Sequence, residues 1–312
     1  MSEHDVEIET GDGAAAATRC GFVALVGAPN AGKSTLLNAL VGAKVSIVTH
    51  KAQTTRAQIR GVVTDGPTQV VFIDTPGIFA PKRRLDRAMV QSAWTGAGDA
   101  DMVAFIVDAE RGITDELQAL VEGLTNIRSP KVLVLNKIDL IKHESLLDLS
   151  AKLNEQLKFE ATFMISATRG HGVADFMRWT EQHVPEGPWH FPEDQLTDLT
   201  LALTAAEVTR EKLFLRIHDE IPYNTTVETE AFEIKPDGSY KINQVIYVTR
   251  DQHKKIVLGA GGQTIKSIGA DSRKELIGMF DTPVHLFLFV KVREKWGDDP
   301  ERYREMGLDW TK

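Results

Sequence analysis

Residues 27–34 read GAPNAGKS and stand between an apolar run, CGFVALV, and a segment with helical spacing carrying Leu36, Leu37, Leu40 and Val41. Gly27, Gly32, Lys33 and Ser34 satisfy G-x-x-x-x-G-K-[ST], a pattern that demands a strand before it and a helix after it. The loop through Ala28, Pro29, Asn30 and Ala31 can then curl so that its N–H groups converge on an anion. The helix that opens with Lys33, Ser34 and Thr35 adds partial positive charge. Lys33 would reach the β- and γ-phosphates, and the Ser34 hydroxyl would coordinate Mg²⁺. A glycine-rich turn is the bland alternative, and the strand-loop-helix context argues against it.

Further strand-length apolar runs follow: QVVFI, MVAFIV, KVLVLN and ATFMIS. Helical spacing over 114–124 and 144–157 separates the later ones, which predicts a mostly parallel sheet covered on both faces. One pair departs from this. Between Gly61 and Ile73 only the turn Asp65-Gly66-Pro67 intervenes, too short for a crossover helix, so these strands should form an antiparallel hairpin.

Two tetrapeptides end strands of this sheet. Asp74-Thr75-Pro76-Gly77 places a carboxylate where it can reach a metal and a glycine that can follow the γ-phosphate. Asn136-Lys137-Ile138-Asp139 offers Asp139 as acceptor for the ring N–H and exocyclic amine of guanine, which adenine lacks, so GTP is favoured over ATP. Ser166-Ala167 follows the next strand and can bring backbone N–H near the base oxygen. Alone, the first tetrapeptide reads as a turn and the second as a helix cap. Their order, each at a strand's carboxyl end, makes a sheet-edge nucleotide site.

Pro185, Pro188 and Pro192 break the pattern, which places a linker at 185–198 after a first domain of 19–184. The second domain, 199–312, should be α+β: a helix over 199–217, strands over 225–233 and 240–249 around Lys235-Pro236-Asp237-Gly238, a helix over 264–278 and a strand over 284–292. Within it, Gly259-Ala260-Gly261-Gly262 precedes a helix bearing Ile265 and Ile268. Lys254, Lys255 and Lys266 flank the loop, and residues 254–295 hold eight Lys/Arg against four Asp/Glu. Such a loop clamps single-stranded RNA in KH domains, and elsewhere it is a simple turn.

Taken together, GAPNAGKS, DTPG, NKID and SA resemble the motifs of the translation-factor-related P-loop GTPases. SIVTHKAQTTRAQIRG and the GxxG segment narrow the resemblance to their KH-domain, ribosome-assembly branch, over about residues 20 to 310. The resemblance implies an α/β P-loop GTPase domain followed by an α+β type II KH domain. It implies a GTPase that uses GTP/GDP and Mg²⁺, binds the 3′ region of 16S ribosomal RNA and assists 30S assembly as a monomer. Thr55, with Thr54 as the alternative, becomes the switch threonine on Mg²⁺ beside Ser34 and Asp74, and Lys33, Asn30 and Gly77 join it in catalysis. The residue after Gly77 is Ile78, where the Ras-like branch has a water-orienting glutamine, so intrinsic hydrolysis should be slow. Some relatives of this type hold K⁺ partly through a P-loop asparagine, here Asn30. The GxxG loop departs from the family at Ala260, where a basic residue is usual. The family also implies weak peripheral membrane association, although no strongly basic amphipathic helix is evident. Two alternatives stay open: a nucleotide-gated RNA scaffold with negligible turnover, and a tRNA-modification-type GTPase, which would carry a C-terminal cysteine and a folate-handling domain.

The formal charge of −8 over 312 residues argues against indiscriminate phosphate-backbone binding, so any RNA contact must be local. No apolar stretch reaches the ~18 residues of a membrane span. The acidic, Gly/Ala-rich start, residues 1–18, lacks a signal peptide's basic and apolar regions and reads as a tail of a cytoplasmic protein. Cys20, the single cysteine, fits a strand interior. His171 and His183 read as surface or structural, Trp179 and Trp189 as packing at the domain junction, and Asp108 as a cap of the following turn.

Overall fold

A computed structural model describes residues 17–310, apart from 52, 219 and 295; most of the expected acidic tail lies outside the described residues. The first domain runs β1 (Arg19–Val26), α1 (Lys33–Val41), β2 (Ile59–Asp65), β3 (Thr68–Asp74), α2 (Arg84–Asp99), β4 (Met102–Asp108), α3 (Asp115–Leu124), β5 (Lys131–Asn136), α4 (His143–Gln156), β6 (Ala161–Met164) and α5 (Val173–His183). Its six strands lie in the order β2-β3-β1-β4-β5-β6, parallel except for the β2–β3 hairpin.

Strand alternation builds both faces of this sheet. Val23 and Leu25 join Phe72, Ile106, Val134, Leu36 and Phe176 under α1 and α5, while Ala24 and Val26 join Phe105, Leu135, Leu117, Leu120 and Leu146 on the other side. Because both faces are buried, the strands read as continuous apolar runs. Cys20 is buried in β1, its Sγ 3.7 Å from Gln69 Oε1.

Residues 185–198 run along the same sheet. Gln69 accepts from His190 N and Phe191 N and donates to Phe191 O, and Val62 N donates to Leu196 O. Trp189 donates to Pro67 O and Trp179 packs on Phe163 and His183, so both serve the first domain. Their expected place at the junction with the second domain is corrected: Trp296 occupies it.

The second domain runs α6 (Leu201–Arg216), β7 (Thr225–Ile234), β8 (Tyr240–Val248), α7 (Asp251–Leu258), α8 (Gln263–Phe280), β9 (Val284–Val292) and α9 (Pro300–Glu305). β8 pairs with β7 antiparallel and with β9 parallel, and Phe214, Ile246, Val257, Ile268 and Val290 fill the space between sheet and helices. Thr200 caps α6 by accepting from Leu203 N.

Four helices among the described residues, α2, α5, α7 and α9, had no counterpart in the sequence expectations. α2 buries Leu85 and Met89 near its start and only Ala88, Ala93, Gly96 and Ala97 beside and beyond them, too small a run to register as an apolar stripe. α7 spans eight residues with one buried apolar side chain, Val257. α9 begins with Pro300 and folds the chain end back onto α2, where Leu85, Met89, Trp296, Tyr303 and Leu308 form one cluster. Among the described residues no helix is long and apolar enough to cross a membrane.

Candidate functional site

A cleft of about 610 Å³ opens at the carboxyl ends of β1, β3 and β5, and its walls include Asn30, Lys33, Ser34, Thr55, Gly77 and Asp139. The loop after β1 needs glycine at position 32. Its φ is +98°, and a Cβ there would lie 2.1 Å from Asn136 Nδ2. Asn136 Nδ2 donates to Ala31 O at 2.9 Å, and Asn136 Oδ1 accepts from Ala167 N at 3.0 Å. One amide thus ties the phosphate loop to the segment expected near the base.

Lys33 is buried and donates to Gly27 O and Ala28 O at 3.1 and 3.0 Å. Burial pulls its ammonium down to about 8, against the opposing pull of Asp74. Asp74 is fully buried. Its Oδ2 accepts from Ser34 at 2.6 Å, Ser46 at 2.8 Å and Thr55 at 3.3 Å, while Oδ1 has no hydrogen-bond partner. Burial raises its pKa, with Lys33 and the three hydroxyls pulling the other way. The Ser34 and Thr55 hydroxyls lie 3.0 Å apart. Thr54 instead bonds Thr49 Oγ1 and Lys51 O, so geometry favours Thr55 of the two threonines. Hard oxygen donors gathered on a carboxylate with one oxygen unspent fit a magnesium ion.

Ser46 was missed from the sequence. It is seated by Asn38, whose Oδ1 accepts from Val45 N and Ser46 N at 2.9 Å each. A serine eight residues beyond a helical asparagine carries no spacing signal, and only the fold brings it to Asp74.

The remaining candidates divide by position. Thr75 Oγ1 donates to Leu25 O, and Ile78 N donates to Gly27 O at 3.2 Å while its side chain is buried in the apolar cluster under α2. Gly77 lines the cleft and Ile78 does not. Asn30 sits at φ 63° and donates to His50 O at 2.9 Å, bridging the phosphate loop to the segment before β2. Lys137 pairs with Asp108 at 2.6 Å, and Asp108 Oδ1 accepts from Glu110 N at 3.1 Å, so Asp108 caps its turn and also holds Lys137. Asp139 is exposed, and the Ser166 hydroxyl holds its carboxyl below the usual range.

The second set gathers elsewhere. Gly259, Gly261 and Gly262 all have positive φ (72°, 59° and 77°), turning the chain sharply between α7 and α8. Ala260, Lys255 and Lys266 are exposed and Lys254 half-exposed, and among the described residues none of the three lysines is held in an ion pair. β9 pairs on one side alone, leaving its other edge free. A sharp glycine turn flanked by unpaired lysines can take a phosphate backbone.

Comparison with known proteins agrees with both halves. Residues 22–137 match the family described as 50S ribosome-binding GTPase, and residues 220–297 match the KH domain. GTPase Era of Mesorhizobium japonicum is 60% identical over 310 residues, covering 99% of each chain. GTPase Era of Agrobacterium fabrum is 58% identical over 312 residues, covering 100% of this chain and 98% of its own. A crystal structure of Era in complex with MgGDPNP and nucleotides 1506–1542 of 16S ribosomal RNA superposes with a TM-score of 0.87 at 36% identity, covering 93% of this chain and 99% of that one. A variant of Aquifex aeolicus Era bound to GDP·AlF4⁻ matches with the same figures.

Proposed function

The chain belongs to the Era family of GTPases, and on that premise we propose that it is a Mg²⁺-dependent GTP switch presenting its KH domain to the 3′ region of 16S ribosomal RNA during 30S assembly. It is a GTPase with an RNA-binding KH domain. The observation that carries the switch reading is the convergence of Ser34, Ser46 and Thr55 on Asp74 beside the buried Lys33. Magnesium bound there supplies positive charge to the β- and γ-phosphates. Lys33 turns from two carbonyls to the phosphates, the loop amides cradle them, and Asp139 selects guanine.

Loss of the γ-phosphate would free the segments 46–60 and 77–90 and change how the KH domain is presented. Gly77 follows the γ-phosphate, and Ile78 contributes no side chain to orient water, so turnover without a partner is slow. Asn30 is the residue of choice for a potassium ion in this reading. On the RNA side, the Gly259–Gly262 turn clamps the backbone, with Lys254, Lys255 and Lys266 supplying charge. We place the domain division at 19–184 and 199–312, with a monomeric protein acting in the cytoplasm and touching the membrane at most peripherally.

The test crosslinks the full chain to cellular RNA with GDP and with a non-hydrolysable GTP analogue, beside a Gly261→Asp/Gly262→Asp variant. Nucleotide-dependent recovery of small-subunit RNA by the parent, lost in the variant while GTP turnover persists, supports the proposal. Equal recovery in both nucleotide states, or undiminished recovery by the variant, overturns it.

A further inference from the structure

Three consecutive residues before β2 are held from alternating directions. Thr54 O accepts from Arg210 of α6 at 2.6 Å. The Thr55 hydroxyl lies against Ser34 and Asp74 of the first domain. The Arg56 guanidinium, 4% exposed as a residue, points into the second domain, donating to Thr225 O at 2.7 Å and Pro222 O at 3.1 Å. It lies 5.6 Å from the Phe214 ring and 5.5 Å from the Trp296 ring. The preceding segment is held the same way: Val48 N donates to Glu211 Oε1, and the Lys51 ammonium donates to Phe214 O and Ile217 O.

Arg56 has no carboxylate partner among the described ion pairs, and its Nε has no hydrogen-bond partner. A buried cation bonded by two carbonyls and two π faces, with Glu207 and Asp86 acting on it only at a distance and Arg210 opposing them, is costly to bury and depends on that geometry. Arg210 holds the backbone at Thr54 and the second domain holds the Arg56 side chain, so Thr55 is pinned from both sides; consecutive Cα atoms are only ~3.8 Å apart, and a backbone shift at either neighbour moves Thr55 as well.

We propose that Arg56 is a positioning residue for the GTPase site: seated in the KH domain, it holds the adjoining Thr55 against Ser34 and Asp74, so that preference for the triphosphate depends on the KH domain being docked. This rests on Thr55 being the switch threonine. Coupling of this kind is reciprocal: a ligand that needs Thr55 in place favours docking, and an RNA that draws the KH domain away weakens triphosphate binding by the same factor.

The test uses the full chain and compares affinity for GDP with affinity for a non-hydrolysable GTP analogue in Mg²⁺. Arg56→Met keeps the stem and loses the guanidinium; Trp296→Leu removes one stacking face from the KH side and keeps an apolar side chain against Leu85 and Met89 of α2. Both should lose about tenfold in GTP-analogue affinity while GDP affinity stays within about twofold. Arg56→Lys, which keeps the charge but not the planar fork, should fall between. Hydrogen exchange on the unmutated chain gives a readout independent of how the variants fold: residues 54–56 and 222–225 should gain protection together when the GTP analogue replaces GDP.

An unchanged GTP-to-GDP preference in a folded Arg56→Met chain, or exchange at 222–225 indifferent to nucleotide, overturns the proposal. Thr55→Ala separates the two levels. Should Thr55→Ala keep the wild-type preference, the switch assignment itself fails; should it lose the preference while the Arg56 and Trp296 variants keep it, only the coupling fails.

Discussion

Ser34 and Asp74, forty positions apart in the chain, are joined by a 2.6 Å hydrogen bond from the serine hydroxyl to Oδ2. That bond welds the start of α1 to the end of β3 and leaves Oδ1 buried without a partner. The carboxylate is thus poised for a cation and expensive without one.

The first prediction follows from that cost. Burial raises the folded pKa of Asp74, so in the nucleotide-free chain its unfavourable contribution grows as pH climbs from the ordinary carboxylate range through the raised value. Asp74→Asn should therefore melt no lower than the parent near neutral pH without Mg²⁺. Added Mg²⁺·GTP should raise the melting temperature of the parent and leave the variant unmoved, as calorimetric scans would read. A magnesium-dependent rise in the variant would remove Asp74 from the metal site.

Lys33 titrates in the opposite sense. Its folded pKa of about 8 lies below the ordinary 10.5, so the penalty for burying the ammonium is full below pH 8 and is relieved as pH rises toward 10.5. Triphosphate needs the charged form. Guanine nucleotide affinity should fall as pH rises through about 8, and binding near pH 8 should take up a proton. Titration calorimetry in two buffers of different ionisation enthalpy measures that uptake, which Lys33→Met should abolish along with most of the affinity.

The proposed role of Asp139 in base choice rests on its being held by its neighbours: Asn136 is fixed on Ala31 and Ala167, Lys137 on Asp108, and the Asp139 carboxyl by the Ser166 hydroxyl. Asp139→Asn replaces an acceptor with a donor on the side facing guanine's N–H groups. GDP affinity should drop about a hundredfold, and XDP, which carries a carbonyl in place of the amine, should gain. Competition binding with the two diphosphates checks the crossover.

Tyr303 anchors the chain end to α2. It is fully buried, edge-on to Trp310 at 4.7 Å, and donates to Gly297 O at 2.9 Å. Tyr303→Ala should cost roughly 3–4 kcal/mol in urea unfolding and Tyr303→Phe about 1 kcal/mol, the first creating a cavity and the second removing one hydrogen bond. Equal, small effects would mean that this cluster adds little to the fold.

What the sequence disclosed and what it hid divide along physical lines. Gly32 and Lys33 were legible because a phosphate cradle is local, built by one loop and the first turn of one helix. The central strands were legible because both sheet faces are buried there and their residues are mostly apolar, while β2, IRGVVTD, was legible through the short turn that joins it to β3. α2 was not, since beyond Leu85 and Met89 in its first turns its buried face is made of Ala88, Ala93, Gly96 and Ala97. Arg56 was illegible for another reason: its acceptors, Pro222 and Thr225, lie 166 and 169 positions away, and a cation taken by carbonyls leaves no complementary charge to notice.

Ala260 stands in the Gly259–Gly262 turn proposed to clamp RNA, where the resemblance to KH-domain relatives led to the expectation of a basic residue. The side chain is exposed, between Gly259 and Gly261 at positive φ, on the rim from which Lys255 and Lys266 also project into solvent. A lysine there meets no backbone strain and projects from an exposed position, because Ala260 lies outside the positive-φ positions. One added phosphate contact on single-stranded RNA releases about 0.7 of a counterion, so Ala260→Lys should steepen the log–log salt dependence of RNA binding by about that amount and tighten binding severalfold at low salt. The gain should fade as salt rises, and GTP turnover in the absence of RNA should not change. Filter binding of a short 16S 3′-end RNA across a salt series reads the slope. A parallel shift with no change in slope would mean that the new ammonium meets no phosphate, and that the backbone path of the RNA avoids the tip of this turn.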